Sequence, residues 1–247
     1  MGTLKHKSLK FIKKIYFIVK YLFIPRTKYY EDGYIQYMSY ICSGDMLEKG
    51  NIYVWNYVIS HLKSGSPILE IGAFSGLSTN IITYFLDKHG KSNDLYAVDY
   101  WKLQPDHKKF FHKKFSFQEY NNYIKDSFIR NTKFFNHEKL PSTFHMDSRT
   151  FFNKWNKGES VTELFDRNVK LGGKFSFCFV DGDHTYEGVK NDFLNADRVL
   201  ENEGYLMFDD SSDGSGWDGG NRVMQEIIET KRYSLIMKNP NYLFQKI

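Results

Sequence analysis

Cysteine is almost missing from this chain: 247 residues contain two, Cys42 and Cys178. At that spacing they form neither a disulfide framework nor a zinc site, so a reducing, cytoplasmic setting is expected, with both as small buried side chains. Long apolar runs are missing as well. In the N-terminal stretch the longest uninterrupted one is Ile15 to Val19, far short of the roughly 20 apolar residues that cross a bilayer. After Ile24 the chain reads PRTKYYEDG, with no small-residue cleavage site of the secretory kind. No repeat or low-complexity linker interrupts residues 34–247, and the length suits one α/β domain with an appendage.

Acids are absent from residues 1–28, which hold eight basic residues (Lys5, Lys7, Lys10, Lys13, Lys14, Lys20, Arg26 and Lys28). The formal charge of +5 is therefore a sum of unlike parts, because the rest of the chain carries 26 basic residues against 29 acids. A slightly acidic body argues against tracking nucleic-acid phosphates, and Lys108, Lys109, Lys113 and Lys114 read as a solvated face. Leu4, Ser8, Phe11, Ile12, Ile15, Val19, Leu22 and Phe23 recur at helical spacing with most lysines elsewhere, the layout of a helix lying in a membrane interface. Residues 1–33 are thus expected to form a basic amphipathic segment. Its residues 4–24 have three candidate surfaces: the inner face of a membrane as a peripheral contact, the domain itself, or a second copy in a homo-oligomer.

What is present is an apolar fraction of 41% with 18% aromatics, enough for a folded globule. After Ser66, short apolar runs alternate with helical stretches, which predicts a doubly wound, mostly parallel sheet with helices on both faces. Strands are expected at 67–71, 95–99, 143–146, 175–180 and 204–208, with helices at 46–63 (capped by Ser43 or Asp45), 75–88, 186–200 and 221–231. A closing strand pair is expected around Asn239-Pro240-Asn241. The aromatic, basic stretch 101–140 is long for a connection and is expected to be a lid or substrate wall.

The sharpest motif is Ile68-Leu69-Glu70-Ile71-Gly72-Ala73-Phe74-Ser75-Gly76-Leu77-Ser78-Thr79: a buried strand, a carboxylate, and glycines leading into a helix start. Glycines let a ligand approach the backbone, and a helix N-terminus offers unpaired N–H groups. The dinucleotide pattern G-x-G-x-x-G needs glycine where Phe74 stands, so a phosphate cradle is disfavoured, and Glu70 suits a cationic ligand. Asp99 ends the next strand, where an acid accepts ribose hydroxyls. Asp147 with Ser148 ends the third, placed either to meet an adenine amino group or to cap a helix. A second constellation, Asp181-Gly182-Asp183-His184 and then Asp209-Asp210-Ser211, lies at the carboxyl ends of neighbouring strands. Converging carboxylates there call for a cation, and a hard divalent ion with oxygen ligands at Asp181, Asp209 and Asp210 is expected.

Taken in order, ILEIGAFSGLST, VDYW, FVDGDHTYEGVKND and GYLMFDDS resemble the class I S-adenosylmethionine-dependent methyltransferases, and among them the metal-dependent O-methyltransferases of the macrocin and catechol type. The resemblance covers roughly residues 45–247, which would be the catalytic part of a 34–247 domain. It implies a Rossmann-like seven-stranded sheet ending in an antiparallel strand. It also implies cofactor contacts from Glu70, Gly72, Ala73, Gly76 and Ser78 to the methionine part, from Asp99 to the ribose, and from Asp147 and Ser148 to the adenine. Asp181, Asp209 and Asp210 match the family's acidic metal positions, with magnesium the expected ion. Asp210 stands where the catechol branch has an amide, and the loop 211–220 is longer and richer in glycine than in the antibiotic-sugar branch.

The implied reaction is methyl transfer to a hydroxyl, of a sugar or glycan by preference, with His184 as general base and Asp183 as the fallback. Two other readings stay open: a metal-independent methyltransferase acting on a small phenol, and a nicotinamide-dependent Rossmann oxidoreductase.

Overall fold

The computed structural model describes residues 26–43, 46–102, 115–213 and 218–247. The amphipathic reading of residues 4–24, the Asp45 cap and the lysines at 108–114 lie outside the described residues.

Two helices lead into the domain, α1 (Gly33–Ile41) and α2 (Lys49–His61). Then β1 (Ile68–Ile71), α3 (Leu77–Lys88) and β2 (Leu95–Asp99) form the first βαβ unit. They are followed by α4 (Phe117–Phe135), β3 (Ser142–His145) and α5 (Ser148–Lys157). A small hairpin, β4 (Ser160–Thr162) with β5 (Asn168–Lys170), precedes β6 (Phe175–Val180), α6 (Tyr186–Val199) and β7 (Leu200–Phe208). The chain closes with α7 (Asp218–Glu229), β8 (Tyr233–Lys238) and β9 (Tyr242–Lys246).

Seven strands make one sheet in the order β3-β2-β1-β6-β7-β9-β8. Pairing is parallel from β3 to β7, and β9 runs antiparallel to both of its neighbours. This is the class I methyltransferase Rossmann-like sheet that the motif order implied. All six residues of β6 are buried, as a central strand covered on both faces requires. Phe177 and Phe179 point with Met207 and Leu243 into the core under α1, α2 and α3. Cys178, Val180, Leu206 and Phe208 point into the core under α5, α6 and α7.

Several boundaries differ from the sequence reading. The leading helix starts at Lys49, with the Glu48 side chain accepting from Gly50 N, so the expected Ser43 cap does not serve it. Strand β7 begins at Leu200 rather than 204, because Glu203 takes up a left-handed turn (φ 62°) inside the strand instead of a break before it. The 101–140 stretch contains α4, whose start is fixed by a reciprocal pair: Ser116 Oγ accepts from Glu119 N while the Glu119 carboxylate accepts from Ser116 N. Phe128 and Ile124 of α4 bury Ala73, Ala97 and Trp101 in a third small core at the carboxyl end of the sheet.

Candidate active site

Parallel strands β1, β2, β6 and β7 all point their carboxyl ends the same way, and order reverses between β1 and β6, which opens a crevice there. The β1 end is tightly held. Ile71 O accepts from Asp181 N at 2.7 Å and Val98 O accepts from Gly72 N at 2.9 Å. Gly72 has φ +86°, and a Cβ there would lie 1.8 Å from the Asp181 carbonyl oxygen, so only glycine fits. Gly76 opens α3 at φ +91° without any side-chain cap. Its turn therefore presents backbone N–H groups of the first helical turn, where Ser78 also sits.

Glu70 is fully buried under this turn. Thr79 Oγ1 donates to its Oε2 at 2.6 Å, while Oε1 has no hydrogen-bond partner among the described residues. Burial pushes its carboxyl up to about 7, and the neighbouring Asp99 adds to that. Asp99 accepts from three backbone N–H groups, those of Ala73 and Phe74 at 2.9 Å each and of Trp101 at 2.6 Å. It thereby ties the β2 end to the glycine turn, and Trp101 Nε1 donates to Phe74 O at 2.8 Å from the other side. Burial still raises Asp99 above the ordinary carboxylate value.

The acids of β6 and β7 lie across the crevice. Asp181 is raised well above its ordinary value by burial first and then by the charges of Asp209, Asp210, Glu70 and Asp99. Asp209 is raised to about 6, chiefly by burial. Its Oδ1 accepts from Asn51 Nδ2 of α2 at 2.8 Å and from Asn241 Nδ2 beside β9. Asp210 has a left-handed backbone (φ 49°), and its Oδ2 lies 3.5 Å from His184 Nδ1. Asp183 is bound up in the start of α6, its Oδ1 accepting from Thr185 N at 2.8 Å and its side chain lying over Gly188.

Of the remaining expected residues, Asp147 is exposed and caps α5, accepting from Thr150 N at 2.9 Å and Thr150 Oγ1 at 2.8 Å. Ser148 Oγ donates to Asp192 at 2.6 Å. The helix-cap alternative for Asp147 is therefore the one seen locally. Asn51, Asn241 and Asp192 belong to the site's support and were not singled out from sequence, since a lone Asn or Asp in a helix or turn carries no pattern.

A cavity of about 420 Å³ lies at the opposite end of the sheet, lined by Trp155, Lys157, Gly173, Lys174 and Arg198 among others. What marks the carboxyl end of the sheet is a group of buried acids around a glycine turn.

A methyltransferase-domain family model matches residues 69–211, more than half of the chain and the whole span from β1 to the acids after β7. The chain belongs to that methyltransferase family. An S-adenosylmethionine-dependent methyltransferase, as the motifs implied, is thus the enzyme class. Solved structures share the fold of this methyltransferase. An O-methyltransferase from Bacillus cereus, in complex with S-adenosylhomocysteine, is 12% identical and superimposes with a TM-score of 0.55 over 93% of this chain and 95% of that one. The O-methyltransferase TomG from Streptomyces achromogenes, involved in tomaymycin synthesis and in complex with S-adenosylmethionine, is 12% identical, with a TM-score of 0.54 over 89% and 91%. The S-adenosylhomocysteine-bound methyltransferase PaMTH1 of Podospora anserina is 11% identical, with a TM-score of 0.57 over 89% and 88%. At such identities the likeness is one of fold. No curated protein matches the methyltransferase in sequence.

Proposed function

We propose that this methyltransferase moves a methyl group to a hydroxyl oxygen, with His184 receiving the hydroxyl proton. The observation that carries the reading is the His184–Asp210 pair at the ends of β6 and β7, beside the turn that Gly72 closes against Asp181. A neutral alcohol is a poor nucleophile and must shed its proton as the new bond to carbon forms. An imidazole that accepts this proton becomes a cation. Asp210 beside Nδ1 steadies that cation and directs Nε2 toward the acceptor.

S-Adenosylmethionine, when bound, supplies an electrophilic methyl on a sulfonium and is left as S-adenosylhomocysteine. The residues fit such a cationic ligand: Glu70 Oε1 is buried without a hydrogen-bond partner among the described residues, and the charges of Glu70, Asp99 and Asp181 oppose one another until a cation enters. Glu70, Gly72, Ala73, Gly76 and Ser78 would hold the methionine part, Asp99 the ribose, and Asp147 with Ser148 the adenine edge. Phe74, at φ +44° in the turn, stands where a nicotinamide dinucleotide needs glycine. Titration with S-adenosylhomocysteine against NAD separates the two ligands.

The divalent ion fits less well. Among the described residues no three His, Cys, Asp or Glu side chains are grouped so as to hold a metal, and Asp209 Oδ1 is already engaged by two amides. Turnover lost on chelation and restored by magnesium would bring Asp181, Asp209 and Asp210 back as its ligands. For the acceptor, a sugar-bearing hydroxyl is favoured because Tyr100, half exposed, lies beside the exposed His145 ring at the ends of β2 and β3, an aromatic surface of the kind on which sugar rings stack.

The test is His184→Ala. Turnover should fall by ~10²–10⁴ while S-adenosylhomocysteine binding stays near that of the native chain. Undiminished turnover would remove His184 as the base.

A further inference from the structure

Helix α1 differs from the other helices in what it leaves outside. Its nine residues, GYIQYMSYI, include no charged side chain. Ile35 and Met38 fill the core, as a helix docked on α3 requires. The outer side carries Tyr34, Tyr37, Tyr40 and Ile41, all exposed, with Tyr40 at 78%. The patch extends beyond the helix: Tyr34 and Tyr37 lie 6.1 and 6.2 Å from the Phe135 ring, which stacks edge-on at 4.9 Å against Phe134 of α4, itself 64% exposed. Single exposed apolar residues are ordinary, whereas a contiguous apolar face with no charge of its own marks an interaction surface.

The sequence on either side says what it meets. Residues 1–28 bring eight basic side chains and no acid, and they join the body directly before this helix. Lys28 is pinned there, its N–H donating to Asn239 Oδ1 at 2.6 Å and its carbonyl accepting from Asn239 Nδ2. Exposed Tyr29 follows. Of the two acids between Arg26 and Ser43, Glu31 and Asp32, the latter is engaged by Lys88 and Tyr84 and caps α1. Tyrosines beside a polybasic segment match the chemistry of a bilayer boundary, where amphipathic rings sit at headgroup level and lysines meet anionic lipids.

We infer that the outer face of α1, extended by Phe134, docks on an anionic lipid surface and that the basic residues of 1–28 supply the electrostatic part of the attraction. The docking face reaches the active-site end of the molecule. Cys42 O, closing α1, accepts from Ser75 Oγ at 2.7 Å, and Asn131 of α4 donates to Ser75 O at 2.8 Å, so both flanking helices hold the cofactor turn. A docked enzyme therefore works next to the lipid.

The experiment is co-sedimentation of the full chain with vesicles of equal parts phosphatidylglycerol and phosphatidylcholine, and with phosphatidylcholine alone. The expected result is binding to the anionic vesicles only, weakened by salt. It should fall roughly tenfold or more in the Tyr37→Ser, Tyr40→Ser, Ile41→Ser triple variant, because three interfacial side chains are lost. Replacing Lys5, Lys7, Lys10, Lys13 and Lys14 with Gln should produce a comparable loss at low salt. The triple variant leaves Ile35 and Met38 in place, and unchanged thermal unfolding confirms that it folds. Absence of binding by the native chain, or equal binding by the triple variant, overturns the inference. So does a native dimer that the triple variant dissolves in sedimentation velocity without lipid, since the face would then belong to a second copy.

Discussion

Two ends of the same sheet treat aspartate in opposite ways. Where α6 runs into β7, at the amino ends of the strands, Asp197 accepts from Arg232 at 2.6 Å and Tyr233 at 2.8 Å, with Lys246 3.3 Å away. Those partners outweigh burial and hold its carboxyl below the ordinary value. At the carboxyl ends, Asp181 and Asp209 are more deeply buried and meet other acids or neutral amides, and both are pushed up. The chain supplies its own cations where an acid has a structural task. It gives none to Asp181 and Asp209, and stability forgone in this way is what the proposed site for a cationic ligand would leave.

The comparison is broken most forcefully through Gly72, which presses the β1 turn against Asp181. Gly72→Ala should cost ~4 kcal/mol or more in thermal unfolding and abolish S-adenosylhomocysteine binding, because a methyl group meets backbone that cannot yield. A native-like melting temperature in that variant would mean the acid is not held by this contact. Next in size is the pH dependence of the ligand-free protein. Glu70 rises from 4.5 to about 7 on folding, so the folded state binds the extra proton between those values. Stability should fall by up to about 3 kcal/mol as pH rises from 4.5 to 7, and saturating S-adenosylhomocysteine, which carries an ammonium group, should flatten that fall. Asp197 runs the other way, its contribution present above pH 3.8 and lost on acidification. The smallest and most diagnostic effect is a pair of isosteric changes. Asp197→Asn should lower stability by ~2 kcal/mol by weakening charge-assisted hydrogen bonds. Asp181→Asn should raise it by ~1 kcal/mol by relieving repulsion, at the expense of cofactor binding. The same sign in both denaturant titrations would erase the contrast.

The sheet was legible because buried parallel strands read as nearly continuous apolar runs: Ile68–Ile71, interrupted only by Glu70, and Phe175–Val180, interrupted only by Ser176, need no context to be recognised. The glycine turn and the acids after β6 and β7 were equally visible, since their residue types sit at strand ends. Helix α1 was not, because tyrosines on its outer side and Ile35 and Met38 on its inner side leave no polar face to reveal a period. Asp32, whose Oδ1 accepts from Tyr34 and Ile35 N–H, was the one local signal of its start. The β4–β5 hairpin has three-residue strands alternating exposed and half-buried positions, too short for alternation to stand out. Nor does any sequence pattern place Asn51 and Asn241 on Asp209. They are 190 residues apart, and only the sheet order brings them together.

Asn241 makes the acidic side of the site contingent on the final strand. Its Oδ1 accepts from the N–H groups of Ser211 and Ser212, and its Nδ2 reaches Asn51 and Asp209. A growing or refolding chain can therefore pair β1, β2 and β3 early, but it cannot set the carboxylate after β7 until β9 has inserted antiparallel beside that strand. The hydrogen-bonded setting of Asp209 is a late event in such an order, completed only when β9 is in place.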